Sequence, residues 1–278
     1  MDGPTIINRM LFIAAFSRRI SVSAVAMGIA VLLCIRPAGA VELKVLSGFA
    51  MRAPLQELAR EFEATSGYTL VIESAFVGQV AEKVAADDPV DVVIISKPVF
   101  DKLVDTEKLA GGSGRPLARV PIGLAVKRGA SRPDIRTVAG WRKTLLAANV
   151  VTYGDPAMGD AAGVHLAHVL EALGLAEVLR PKTRLNSPSP GQSAAQYLTG
   201  LFLRGETEIA MASISVLSET QGIDIVGLLP AELQSPDLSF WAGVASTCRH
   251  PAEAKVLINF LASEPAKAVY KAIGMQSD

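Results

Sequence analysis

The 278-residue sequence is short of cysteine, of histidine and of net charge. Its two cysteines, Cys34 and Cys248, exclude a disulfide framework. The three histidines, His165, His168 and His250, offer few candidates for an imidazole base or a metal centre. Basic and acidic side chains number 27 each, so the chain carries no general basic footprint for nucleic acid. It has no P-loop, no G-x-G-x-x-G phosphate fingerprint, no internal repeat and no low-complexity tract. Beyond residue 40 no apolar run is long enough to span a bilayer, which takes about 20 residues. What the chain does have is apolar character: half of its residues are hydrophobic and only 19% are charged. That composition is too apolar for disorder, and the length suits one large domain or two modest ones.

The first forty residues differ from the rest. Arg9, Arg18, Arg19 and Arg36 face a single acid, Asp2, and an uncharged apolar run fills positions 20–35. Pro37 then breaks the run, and Ala38 and Ala40 stand in an A-x-A arrangement. A basic start, a short apolar core and small residues at its end predict a secretory signal peptide over 1–40, cleaved after Ala40. The remainder holds 23 basic and 26 acidic side chains, with Cys248 as its single thiol. The expected product is a mildly acidic, exported protein of the periplasm.

Downstream, short β-rich runs alternate with amphipathic ones. Strands are expected at 43–47, 68–74 and 90–96, and helices at 53–65, 78–86 and 98–109. Pro54 sits where a first helical turn tolerates it, and Ser66-Gly67 stops the first helix. The run 90–96 is continuously apolar and is read as a strand buried on both faces. This βαβαβ alternation implies a parallel sheet covered by helices. A single extended run is expected at 117–127. A second α/β unit follows, with helices at 138–148 and 163–173 and a strand at 149–153. A loop at 186–191 leads to a helix at 192–204, a strand at 208–212, extended runs at 223–229 and 239–246, and helices at 251–263 and 264–273.

Taken together, Val45–Phe62, Asp88–Ser96, Gly154-Asp-Pro156 with Ala162-Gly163, Leu170–Leu175, Arg204–Ala210 and Ala252–Gly274 carry a resemblance. In their order and spacing the chain resembles the type II periplasmic solute-binding proteins of ABC importers, and is most similar to the molybdate-binding branch. The resemblance implies an α/β fold with two lobes joined by a two-strand hinge near 120–126 and 226–244. It places lobe I at 41–121, lobe II at 122–229, and a return to lobe I at 230–278. It also implies a small anion bound in the cleft, a membrane permease as partner, a monomer, and neither catalysis nor a cofactor. Open α/β sheets bind ligands beyond the carboxyl ends of their strands, where helix N-termini attract anions.

Carried over to this sequence, the ligand-binding candidates are Ser47, Gly48, Phe49, Ala50, Arg52, Phe76, Val77, Gly78, Ser96, Lys97, Asp155, Ala162, Ala212 and Ser213. The family's oxyanion site uses two serine hydroxyls and a tyrosine hydroxyl; the serine positions fall on Ala50 and Val77, and the tyrosine position at or next to Ala212, with Ser213 beside it. The backbone donor of the second lobe falls on Ala162. A neutral hydrogen bond contributes about 1 kcal/mol net, and an unpaired buried partner costs more. Three missing hydroxyls therefore point away from molybdate and toward a less polar or larger ligand, such as a small organic anion. Arg52 and Lys97, with Asp155 and Asp160 opposite, are its charged neighbours.

Two other classes remain open at this stage. One is a secreted serine hydrolase, on the strength of Gly191-Gln-Ser-Ala-Ala195. That stretch lacks the last glycine of the nucleophile elbow and the strand that should precede it. The other is a ligand-sensing domain for a membrane regulator, which the same fold would serve. His165 and His168, at i and i+3 of one expected helix, lack a third metal ligand.

Overall fold

The computed structural model describes residues 41–277. The predicted signal peptide over 1–40 lies outside the described residues. The strands are β1 (Glu42–Gly48), β2 (Thr69–Ala75), β3 (Val92–Ser96), β4 (Arg115–Arg119), β5 (Ile122–Lys127), β6 (Val151–Gly154), β7 (Thr183–Asn186), β8 (Ile209–Ser213), β9 (Ile223–Leu228) and β10 (Ser239–Val244). The α-helices are α1 (Arg52–Ser66), α2 (Val77–Ala85), α3 (Lys97–Asp105), α4 (Val138–Ala147), α5 (Ala161–Ala172), α6 (Ala176–Leu179), α7 (Ala194–Leu203), α8 (Ile214–Glu219), α9 (Pro251–Leu261) and α10 (Glu264–Ala272).

The strands form two five-stranded sheets, ordered β2-β1-β3-β10-β4 and β7-β6-β8-β5-β9. In the first, β1 pairs parallel to β2 and β3, while β10 runs antiparallel to β3 and β4. In the second, β6 pairs parallel to β7 and β8, while β5 runs antiparallel to β8 and β9. The two sheets thus share one plan, and each owes its antiparallel strand to a passage of the chain between them. The sequence predicted the parallel part. The antiparallel strands escaped it because nothing local to 239–244 specifies a partner at 92–96.

The passages are short and bonded to each other. The expected extended run 117–127 is broken at Val120-Pro121 into β4 of one sheet and β5 of the other, because proline cannot donate to a ladder. The return passage covers 229–238. Val120 N–H donates to Leu238 O at 2.9 Å, and Leu229 N–H to Ile122 O at 2.9 Å. The Gln234 side chain accepts from Ile122 N–H at 2.8 Å and donates to Ile122 O at 2.9 Å.

Each sheet buries its own core. Every residue of β3 is buried, as its continuous apolar character requires, with Leu55, Leu58 and Phe62 of α1 packed over the same sheet. Trp141 of α4 anchors the second core with Leu145, Leu166 and Met211. Its indole N–H points to Met211 Sδ at 3.3 Å. Gly67 ends α1 in the left-handed conformation expected of a helix-stopping glycine.

Candidate functional site

A cavity of about 20 Å³ lies between the lobes, at the carboxyl ends of β1, β2 and β8. It is lined by Phe49, Ala50, Phe76, Val77, Asp160, Ala161, Ala162, Ser213, Val216 and Phe240. Two helices begin at it from opposite lobes. Phe76 is the residue before α2, and Asp160 is the residue before α5. First-turn N–H groups lack partners within their own helix and carry the positive end of its dipole, so both ends favour a negative charge in this space. The walls are otherwise apolar. Phe49 and Phe76 stack edge to face, with ring centres 5.1 Å apart.

The lobes meet closely beside the cavity. Gly78 N–H, in α2, donates to Gly159 O at 3.1 Å, in the turn before α5. A Cβ on Gly78 would stand 2.9 Å from the Gly159 Cα, and one on Gly159 would stand 2.5 Å from the Gly78 Cα. Gly159 also has φ of +72°, where a side chain would be strained.

Asp160 is the one titratable side chain among the residues lining the cavity. Burial pushes its carboxyl up to about 6, against the pull of the Gly163 and Ala162 N–H groups, and Asp155 adds to the rise. Its Oδ1 accepts from Gly163 N–H at 2.6 Å, capping α5. The carboxyl rests against Gly154, where a Cβ would lie 2.3 Å from its Cγ. Gly163 is equally confined, since its Cβ would lie 2.1 Å from Gly154 O. The glycines at 154 and 163 therefore let β6 and α5 approach closely enough to hold Asp160 at the cavity.

Phe49 and Phe76 also line a larger chamber of about 680 Å³ that opens outward between the lobes. Its walls mix polar with apolar side chains; the polar ones are Arg52, Gln56, Glu73, Ser74, Gln79 and Lys83 from one side, and Ser189, Gln192, Ser193 and Gln196 from the other. Arg52 pairs with Glu219 of α8 at 3.0 Å, and Lys83 with Glu73 at 2.5 Å.

The structure brings Phe49, Ala50, Phe76, Val77, Ala162 and Ser213 to the small cavity and Arg52 to the chamber. Gly48 packs behind them, with room for a Cβ denied by Phe240 at 2.8 Å. Gly78 makes the inter-lobe contact. Ala212 is buried in β8, one residue before Ser213. Ser47 is fully buried and its hydroxyl donates to Gly48 O at 3.2 Å. Ser96 is buried at the end of β3 and Lys97 lies away from both cavities, paired with Asp101 at 2.5 Å and set 4.9 Å from the Trp241 ring centre. Asp155 caps the turn at Ala157 and accepts from Ser187 Oγ at 2.7 Å. Ser193 caps α7, accepting from Gln196 N–H at 3.1 Å, which accounts for the Gly-Gln-Ser sequence there as a helix start. His165 Nε2 lies 2.9 Å from Leu233 O. Among the described residues no three His, Cys, Asp or Glu side chains are gathered as a metal site.

Phe240, Val216 and Ala161 line the cavity without having been expected there. Phe240 arrives on β10, far along the chain, and only the pairing of β10 with β3 puts it at the site. Asp160 has a local signal: an aspartate followed at the third position by a helix-embedded glycine marks a cap.

The chain matches known proteins along its length. A "Aconitate isomerase" of Pseudomonas sp is 30% identical over 240 residues, covering 84% of this chain and 87% of that protein. The periplasmic molybdate-binding protein of Azotobacter vinelandii superposes with a TM-score of 0.69 at 20% identity, covering 85% of this chain and 99% of that one. The sulfate-binding protein SubI of Mycobacterium tuberculosis superposes with a TM-score of 0.64 at 16% identity, covering 84% and 86%. These structures share the two-lobed α/β fold. Residues 43–276 match the profile of the bacterial extracellular solute-binding proteins, and the chain belongs to that family.

Proposed function

We propose that the chain is an exported receptor that closes on a small organic anion between its lobes and presents it to the permease of an ABC importer. The observation that carries this reading is the lining of the inter-lobe cavity. The N-termini of α2 and α5 face a space walled by Phe49, Ala50, Phe76, Val77 and Ala162, with Ser213 as its one hydroxyl and Asp160 as its one carboxyl. A dianionic oxyanion would find a single neutral hydroxyl donor here and would meet a carboxyl. A carboxylate on a carbon skeleton offers charge to the helix ends and apolar surface to the phenyl rings. The larger chamber beside the cavity leaves space for the rest of such a ligand. Binding would favour the closed arrangement by its differential affinity for closed over open.

A thermal-shift and calorimetry panel tests this with molybdate, tungstate, sulfate, phosphate, succinate, citrate and both geometric isomers of aconitate. Saturation at 100 times Kd adds about 2.7 kcal/mol to stability. Shifts with carboxylates and none with oxyanions are expected. A shift with molybdate alone would overturn the reading.

A second reading is turnover of the bound anion. It is favoured by the similarity to a curated aconitate isomerase over most of both chains, together with a proton-active carboxyl inside the cavity. Proton NMR of cis-aconitate incubated with the protein tests it, the expected result being the appearance of the trans isomer.

A further inference from the structure

We propose that Asp160 carries a proton between two carbons of an unsaturated polycarboxylate held across the small inter-lobe cavity and the chamber it adjoins, and so moves its double bond. The proposal rests on the turnover reading and names the group that performs it. In the forward step a methylene C–H bond next to a carboxylate breaks. Its proton passes to an Asp160 carboxylate oxygen, and its electron pair enters the adjoining double bond. The resulting allylic anion spreads its charge onto the conjugated carboxylates. Asp160 then returns the proton to the far carbon of the allyl unit, and the double bond re-forms one position along. No electrons are gained or lost overall and no co-reactant is needed. In a skeleton such as propene-1,2,3-tricarboxylate, the two outer arms exchange roles, so the shift converts cis into trans when the methylene arm is held in the opposite rotamer.

Four observations place Asp160 in this role. It is the one titratable side chain lining the cavity. Its carboxyl is fixed, held by Gly163 N–H at 2.6 Å and by Ala162 N–H, with Gly154 against its Cγ. The N-termini of α2 and α5 open on the cavity, where helix ends would favour the negative charge of an enolate-like intermediate. Its carboxyl ionises near 6, well placed both to accept and to return a proton. The other charged group acting on it is Asp155, from the preceding turn, while Arg52, Glu73, Glu82 and Lys83 line the adjoining chamber. Arg52 and Lys83 are paired with Glu219 and Glu73, which leaves Asp160 as the proton-active group of the inner space.

The test is proton NMR of cis- and trans-aconitate with the purified protein in D₂O, run on wild type and on Asp160→Asn. The asparagine keeps a side-chain oxygen for the Gly163 N–H, so the cap of α5 and the fold are preserved. Wild type is expected to interconvert the isomers with solvent deuterium entering the methylene and vinyl positions. Its kcat/KM should rise with pH and level off above about 6. Asp160→Asn is expected to lose both interconversion and exchange by about 100-fold or more, while keeping its thermal shift with aconitate. If wild type neither interconverts nor exchanges, the turnover reading falls and the assignment with it. If wild type turns over and Asp160→Asn does so equally, the reading stands and the assignment is overturned. If the variant loses the ligand-induced thermal shift together with activity, Asp160 serves binding, and its role as proton carrier is likewise overturned.

Discussion

The backbone N–H of Gly78 donates to the carbonyl oxygen of Gly159 at 3.1 Å, tying the start of α2 in one lobe to the turn before α5 in the other. Each Cα occupies the space that a Cβ on the other would need. This contact between the lobes therefore depends on two glycines, since a side chain on either would sit in the space of the other.

Gly78→Ala separates closure from folding. Position 78 is helical, so alanine is intrinsically favoured there by up to about 1 kcal/mol. The expected outcome is an unchanged or slightly raised Tm with affinity for the bound anion lowered about tenfold, equivalent to about 1.4 kcal/mol. Calorimetry gives the affinity, and small-angle scattering with ligand should show a larger radius than wild type. Equal affinity and equal scattering would show that the contact is not needed for closure.

Gly163→Ala tests the seat of Asp160. Helix propensity again favours alanine, yet its Cβ would meet Gly154 O at 2.1 Å. Overpacking of this kind costs about 1–3 kcal/mol and should outweigh the gain. Urea unfolding is expected to show a net loss of stability, whereas a more stable variant would mean that β6 and α5 can part without cost.

The carboxyl of Asp160 should make stability fall with rising pH. Its folded value of about 6 lies above the ordinary aspartate value of 3.8. Between those values the folded chain keeps a proton that the unfolded chain releases, so stability is lost as pH rises through that window and is level above it. The displacement corresponds to about 3 kcal/mol. Asp160→Asn should remove this part of the profile and be the more stable protein at pH 8. Parallel profiles for the two proteins in urea titrations from pH 4 to pH 8 would contradict the burial of the charge.

Cys248 is expected to be a sluggish nucleophile. Burial pushes its thiol up to about 11, and Asp91 beside it opposes the thiolate. In the Cys34→Ser variant, reaction with a disulfide reagent at pH 8 should run roughly 100-fold slower than for free cysteine. Labelling at the rate of the free thiol would contradict the assigned surroundings.

Much of the fold was legible in the chain. The buried run of β3, the amphipathic α1 with its proline start and glycine stop, and the βαβαβ order all follow from local pattern. The short strand β7 and helix α8 did not: β7 has four residues of mixed burial, and α8 is a six-residue helix, both too short for periodicity to show. Of the site, Phe49, Ala50, Phe76, Val77 and Ala162 were reached through the resemblance and stand together at the cavity. Lys97, equally close to a strand end, turns instead toward Asp101 and Trp241, because a strand end fixes where the backbone stops and leaves a long side chain free to find its own partner.

The sequence by itself determined the longer elements, the two α/β units and the glycines and small residues that open the strand ends. Those are properties of short windows: hydrophobic period, caps and backbone freedom. Tertiary structure decided that β10 returns to the first sheet with Phe240, that Gly78 meets Gly159, and that Asp160 faces an apolar, inter-lobe space. The charge balance, which gives the chain no general basic footprint, is a sum over the whole chain, whereas the small cavity is bordered by two helix ends and one carboxyl. Burial is a property of neighbours distant in sequence, and it is burial that raises the carboxyl of an otherwise ordinary helix-capping aspartate to about 6.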